Sequence, residues 1–100
     1  MQSFYAVQFD REMGCTTAEW LMWLPQAMGD VAWTQASDSV QASWPELGDL
    51  RISWRQGEPR RIALFNLPRL HVSFAFTGLD DAQRYTFMKR FDLYMQRGGG

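Results

Sequence analysis

Apolar and polar positions change period several times along this chain, and each change marks an element. From Leu50 to Arg55 the alternation is strict, with apolar Leu50, Ile52 and Trp54 set against Arg51, Ser53 and Arg55. Period two belongs to a strand with one buried face. Gln56-Gly57-Glu58-Pro59 then reads as a turn, and Arg60 to Phe65 as the strand that completes a hairpin. After the interruption at Asn66-Leu67-Pro68, Leu70, Val72, Phe74 and Phe76 alternate with Arg69, His71, Ser73 and Ala75. The pattern predicts a three-stranded meander from Leu50 to Phe76.

Helical spacing holds on both sides of this region. Thr16 stands three residues before Glu19, the spacing of a capping box, and Trp20, Trp23, Leu24, Ala27 and Met28 form an apolar stripe that Gly29 closes. Pro25 predicts a kink or break near Leu24, because proline removes a helix hydrogen bond and clashes with the preceding turn. A second helix is expected after Thr77 or Asp80 as cap. Its stripe is Leu79, Phe87, Met88, Phe91, Tyr94 and Met95, with Asp80 and Asp81 at its start and Arg97 at its end, as the helix dipole favours.

Upstream, Ser3 to Asp10 carries Phe4, Tyr5, Val7 and Phe9 and reads as a strand apolar on both faces, followed by a polar turn from Asp10 to Gly14. The stretch from Asp30 to Gly48 reads in more than one way. Val31 to Gln35 suits a short strand, while Ser37 to Leu47 is either a short helix starting near Ser37 or a loop with a function. The resulting order, β-α-(β)-β-β-β-α, predicts an α+β fold: a two-layer sandwich of a mainly antiparallel sheet with two helices on one face. A chain of 100 residues suits one domain, here residues 1–97, with 98–100 as a flexible glycine tail.

Composition adds limits. Hydrophobic residues make up 46% of the chain and aromatics 15%, enough for a ring-rich core and too many for general disorder. Cys15 is the one cysteine, so an internal disulfide is impossible and a reducing compartment fits. The first residues hold neither a basic leader nor a long apolar run, and no stretch approaches the roughly 20 apolar residues of a membrane span. A soluble cytoplasmic protein that does not bind membranes is the expectation. A single histidine and a single cysteine form no zinc-binding cluster, and no metal or cofactor is implied.

Charge is divided by position. Residues 1–50 hold seven acidic side chains and only Arg11, whereas residues 51–100 hold nine basic and four acidic ones, giving halves of −6 and +5. Period two places Arg51, Arg55, Arg61, Phe65, Arg69 and His71 on the face of the meander turned away from the helices. Guanidinium groups fork toward carboxylates and phosphates, and a ring beside them can stack on a planar ligand. Trp33 and Trp44, in a polar stretch, are further contact candidates, since tryptophan is enriched at interaction hot spots. A solvated strand face also alternates in this way without any ligand, and the two charged halves can neutralise one another within the fold or across a dimer.

Three function classes follow. The leading expectation is a non-enzymatic protein-interaction module, binding a protein partner or itself through the basic sheet face with help from Trp33 and Trp44. The alternative is an anionic small molecule or nucleic acid on that face. Nucleic acid has less in its favour, because the aromatic RNP1 pattern of RNA-recognition domains is missing and the pI is about 5.7. An enzyme would rest on Cys15, beside a helix start that can depress a thiol's pKa, with His71 as the available base. Finally, the terminal Arg97-Gly98-Gly99-Gly100 resembles the tails of ubiquitin-like modifiers and sulfur carriers, which would imply a carrier role. In those proteins the tail follows a strand, whereas here it follows a helix pattern.

Overall fold

A computed structural model describes residues 4–97. In chain order the elements are β1 (Gln8–Met13), α1 (Thr17–Met28), β2 (Ala32–Gln35), β3 (Ser39–Trp44), β4 (Gly48–Gln56), β5 (Arg60–Ile62), β6 (Phe65–Leu67), β7 (Leu70–Thr77) and α2 (Asp81–Arg97). Five strands form one antiparallel sheet in the order β1-β7-β4-β3-β2, and β5 pairs with β6 in a separate two-stranded ribbon. Both helices pack on one face of the sheet, so the fold is an α+β sandwich as expected. The glycine tail expected at 98–100 lies outside the described residues.

Burial follows the period-two pattern on the central strands. Leu50, Ile52 and Trp54 of β4 and Leu70, Val72, Phe74 and Phe76 of β7 are all buried, and they face the helices. Trp20 of α1 meets Trp54 of β4, and Phe91 of α2 meets both Trp20 and Phe74 of β7, so rings join four elements at the centre of the core. Such pairs add to the area they bury because edge and face carry opposite partial charge.

The helices start as the sequence predicts. Thr16 accepts from the Glu19 amide while the Glu19 carboxylate accepts from the Thr16 amide, a complete capping box. Asp80, rather than Thr77, caps α2: its carboxylate accepts from the Gln83 amide at 2.8 Å and Gln83 returns the contact at 2.9 Å. Of the kink or break expected near Leu24, the break does not occur: α1 runs through Pro25 to Met28 and ends at Gly29, where the stripe closes. Leu24, Ala27 and Met28 are fully buried around the proline, and that packing outweighs its local cost. The end of α1 has no basic residue of its own, and Arg90 of α2 takes that place by donating to the Gln26 and Ala27 carbonyls.

Three expectations are corrected. The first strand lies later than Ser3 to Asp10, at Gln8–Met13, so the supposed turn Asp10 to Gly14 is largely strand. As an edge strand it turns Phe9, Arg11 and Met13 inward, and Arg11 is accommodated by the Asp92 carboxylate at 2.6 Å and the faces of Phe9 and Phe74. Second, the middle of Ser37 to Leu47 is neither helix nor loop: Ser39–Trp44 is strand β3, hairpinned to β2, with a bend before it and a turn after it. Third, Arg60 to Phe65 does not pair with β4, because β4 is already flanked by β3 and β7. The chain leaves the sheet after Gln56, forms the β5–β6 ribbon, and returns as β7.

Candidate interaction surfaces

The side chains singled out in the sequence fall in three places. Arg51, Arg55 and His71 lie on the sheet face turned away from the helices. Cross-strand pairing sets Arg51 between Ala75 and Gln41, and Arg55 beside His71. The same register brings Asp10, Glu12 and Asp49 to this face, together with Ser53, Ser73 and Ser39. The face is therefore mixed in sign rather than basic.

Small serines at its centre leave a depression of about 490 Å³, walled by Asp10, Asp38, Arg55 and His71. Two carboxylates beside one guanidinium disfavour a phosphate or carboxylate ligand. The His71 ring is held aside: a Cβ on Gly57 would come within 2.5 Å of its Nε2, so the bare glycine backbone is what makes room for the imidazole. Its Nδ1 is 4.0 Å from Glu12.

Arg69, at the entry to β7, is structural. Its Nε donates to the Glu58 carbonyl at 2.8 Å and its Nη1 lies 3.5 Å from Glu12. Beside it the Gln56 amide joins three elements, accepting from the Thr17 amide and donating to the Cys15 and Arg69 carbonyls. Sequence patterning singled out Arg69 and missed Gln56, because an amide at a strand end carries no periodic signal.

Arg61 and Phe65 belong to the β5–β6 ribbon, hereafter the arm. Every residue from Arg60 to Leu67 is exposed, including Ile62 at 50%, Leu64 at 98%, Phe65 at 69% and Leu67 at 44%. The arm's two-residue connection, Ala63–Leu64, places Ala63 at φ 54°, a left-handed conformation that suits glycine better. Among the described residues, Arg60 and Arg61 form no ion pair. The arm thus offers apolar side chains and two free guanidinium groups to the solvent.

Trp33 and Trp44 face the helix layer. They pack at the margin of the core, and Trp44 meets Phe87 of α2 edge to face with centroids 5.2 Å apart. Trp44 also lines a cavity of about 480 Å³ bounded by the end of α1, the β3–β4 turn and the first turns of α2. Met28, Val31, Leu47, Leu79 and Phe87 make it mainly apolar, and Asp30 stands on its wall.

The enzymatic pair does not assemble. Cys15 is fully buried, and burial, followed by the nearby Glu19 carboxylate, pushes its thiol up to about 11. That is the reverse of the activation expected beside a helix start, and His71 stands on the opposite face of the sheet. Among the described residues no group of histidine, cysteine and carboxylate side chains could hold a metal ion, and no helix is long and apolar enough to cross a membrane. Comparison with known proteins gives no match to a family model, a curated protein or a solved structure.

Proposed function

We propose that this chain is a non-enzymatic protein-interaction module whose contact element is the β5–β6 arm. The observation that carries the reading is the exposure of Ile62, Leu64, Phe65 and Leu67 on a ribbon outside the main sheet. A two-stranded ribbon alone is marginal in water, and contiguous exposed apolar side chains are characteristic of contact sites. A partner supplies the layer that the arm lacks. The reading keeps the class expected from sequence and moves its location from the sheet face to the arm.

Anion binding on the outer face has less support, since Asp10, Asp38 and Glu12 share that face with Arg55. A cytoplasmic setting suits a chain whose cysteine is a buried free thiol. The test is photo-crosslinking in cells with benzoylphenylalanine at position 65 and, separately, at position 51. Protein adducts concentrated at 65 are expected. Protein adducts at 51 with none at 65, or lipid adducts alone at 65, would overturn the reading.

A further inference from the structure

We propose that the arm's partner is a second copy of this chain, with Leu64 and Phe65 seated in the Trp44 cavity of the other molecule, reciprocally across a two-fold axis. The inference rests on the interaction-module reading and names its partner. Arm and cavity match in chemistry. The arm presents large apolar side chains at its tip, and the cavity, at about 480 Å³, is mainly apolar and lies in the size range of pockets that bury a ligand. Leu47 on its rim is half exposed and gains a neighbour when the tip enters.

Charge agrees with this pairing. Arg60 and Arg61 on the arm form no ion pair among the described residues, and neither do Asp30 on the cavity wall and Glu46, which precedes the lining residue Leu47. Arm-to-arm association would set arginine against arginine; arm-to-cavity contact sets arginine against carboxylate. Arg90 also lines the cavity, but its guanidinium is engaged by the Gln26 and Ala27 carbonyls and lies 4.4 Å from the Tyr94 ring centroid. It already serves the fold.

Position excludes the intramolecular alternative. The arm leaves the sheet after Gln56, at one end of β4, and the cavity borders Leu47, just before the other end at Gly48. Nine residues of strand separate the two by about 30 Å. A molecule cannot fill its own cavity. Two copies laid antiparallel bring each arm to the other's cavity, and the reciprocal contact closes without propagating. Among the described residues the two non-glycine positions with positive φ are Ala63 at the arm tip and Glu46, next in sequence to the lining residue Leu47.

The experiment pairs two single substitutions, Leu64→Cys and Ala82→Cys, the latter at an exposed lining residue, with Cys15 fully buried and out of reach. Mixed under mild oxidation, they are expected to give disulfide-linked dimers many-fold above either variant alone, and Phe65→Asp on the Leu64→Cys chain is expected to abolish that excess. By analytical ultracentrifugation the unsubstituted chain is expected to be dimeric and Phe65→Asp monomeric. Phe65 is outside the core, so circular dichroism should be unchanged in that variant.

A chain monomeric at every concentration, Leu64→Cys self-linkage exceeding the mixed product, or arm-dependent binding to anionic phospholipid vesicles by a monomer would each overturn the proposal. The two readings fail separately. If position 65 captures a different protein in cells while the purified chain is monomeric, the module reading stands and self-association falls.

Discussion

Arg84 is the one charged residue classed as buried among the described residues, and its partners explain why. Its guanidinium donates to the Tyr5 and Leu79 carbonyls at 2.8 and 2.6 Å and to the Asp81 carboxylate, tying the chain ahead of β1 to the start of α2. Replacing it with methionine keeps the packing and strands two carbonyls, each worth about 1–3 kcal/mol when left unpaired. Urea unfolding of Arg84→Met is expected to show a loss of roughly 2–6 kcal/mol on that basis. Two neutral acids respond to pH. Burial and a hydrogen bond to Asp92 raise the Tyr5 hydroxyl to about 12, and burial raises the Cys15 thiol to about 11. In both cases the folded state holds its proton longer than the unfolded chain does, so the contribution is complete below the ordinary values of 9.0 and 10.0 and is lost as pH rises through the folded ones. Thermal melts should therefore fall between pH 9 and 11 through Cys15, and Cys15→Ala should flatten that part of the curve. An unchanged slope in the variant would show that the thiol is not the group responsible.

Among the elements, the arm holds the clearest local strain. Ala63→Gly removes a left-handed alanine and should stabilise the ribbon by about 1 kcal/mol, seen as slower amide exchange in β5 and β6. Faster exchange would mean that the turn is not strained as described. The strongest periodic segments, β4, β7 and the two helices, were legible in the sequence because each buries a full stripe. Strand β3 was harder to read, although Val40, Ala42 and Trp44 do alternate with Ser39, Gln41 and Ser43. Alanine and serine differ little in size and hydropathy, so the alternation carries a weak signal. The place of Arg60 to Phe65 depends on that strand. A strand has two hydrogen-bonding edges, and once β3 and β7 occupy those of β4 the intervening segment must leave the sheet. For the candidate site, alternation alone puts Arg61 and Phe65 on the outer sheet face, whereas they lie exposed on a ribbon that never joins the main sheet.

For the whole molecule, the division of charge between the halves has a spatial counterpart in the basic arm at one end of β4 and, at the other, Asp30 on the cavity wall with Glu46 beside the lining residue Leu47. Rim charges of this kind steer encounter more than they hold a complex together. Raising the salt concentration is therefore expected to slow association in stopped-flow mixing while the dissociation rate changes little. A dissociation rate that climbs steeply with salt would assign the contact to charge and not to the apolar tip. On the proposed function, the arm and not the outer sheet face makes the contact. The direct measurement is a dilution series of amide NMR spectra on the unsubstituted chain. Concentration-dependent shifts are predicted at Ile62, Leu64 and Phe65 together with Val31, Leu47 and Thr86, while Arg51, Ser53 and Ser73 hold still. Shifts confined to Arg51, Ser53, Arg55 and Ser73, with a silent arm, would contradict it.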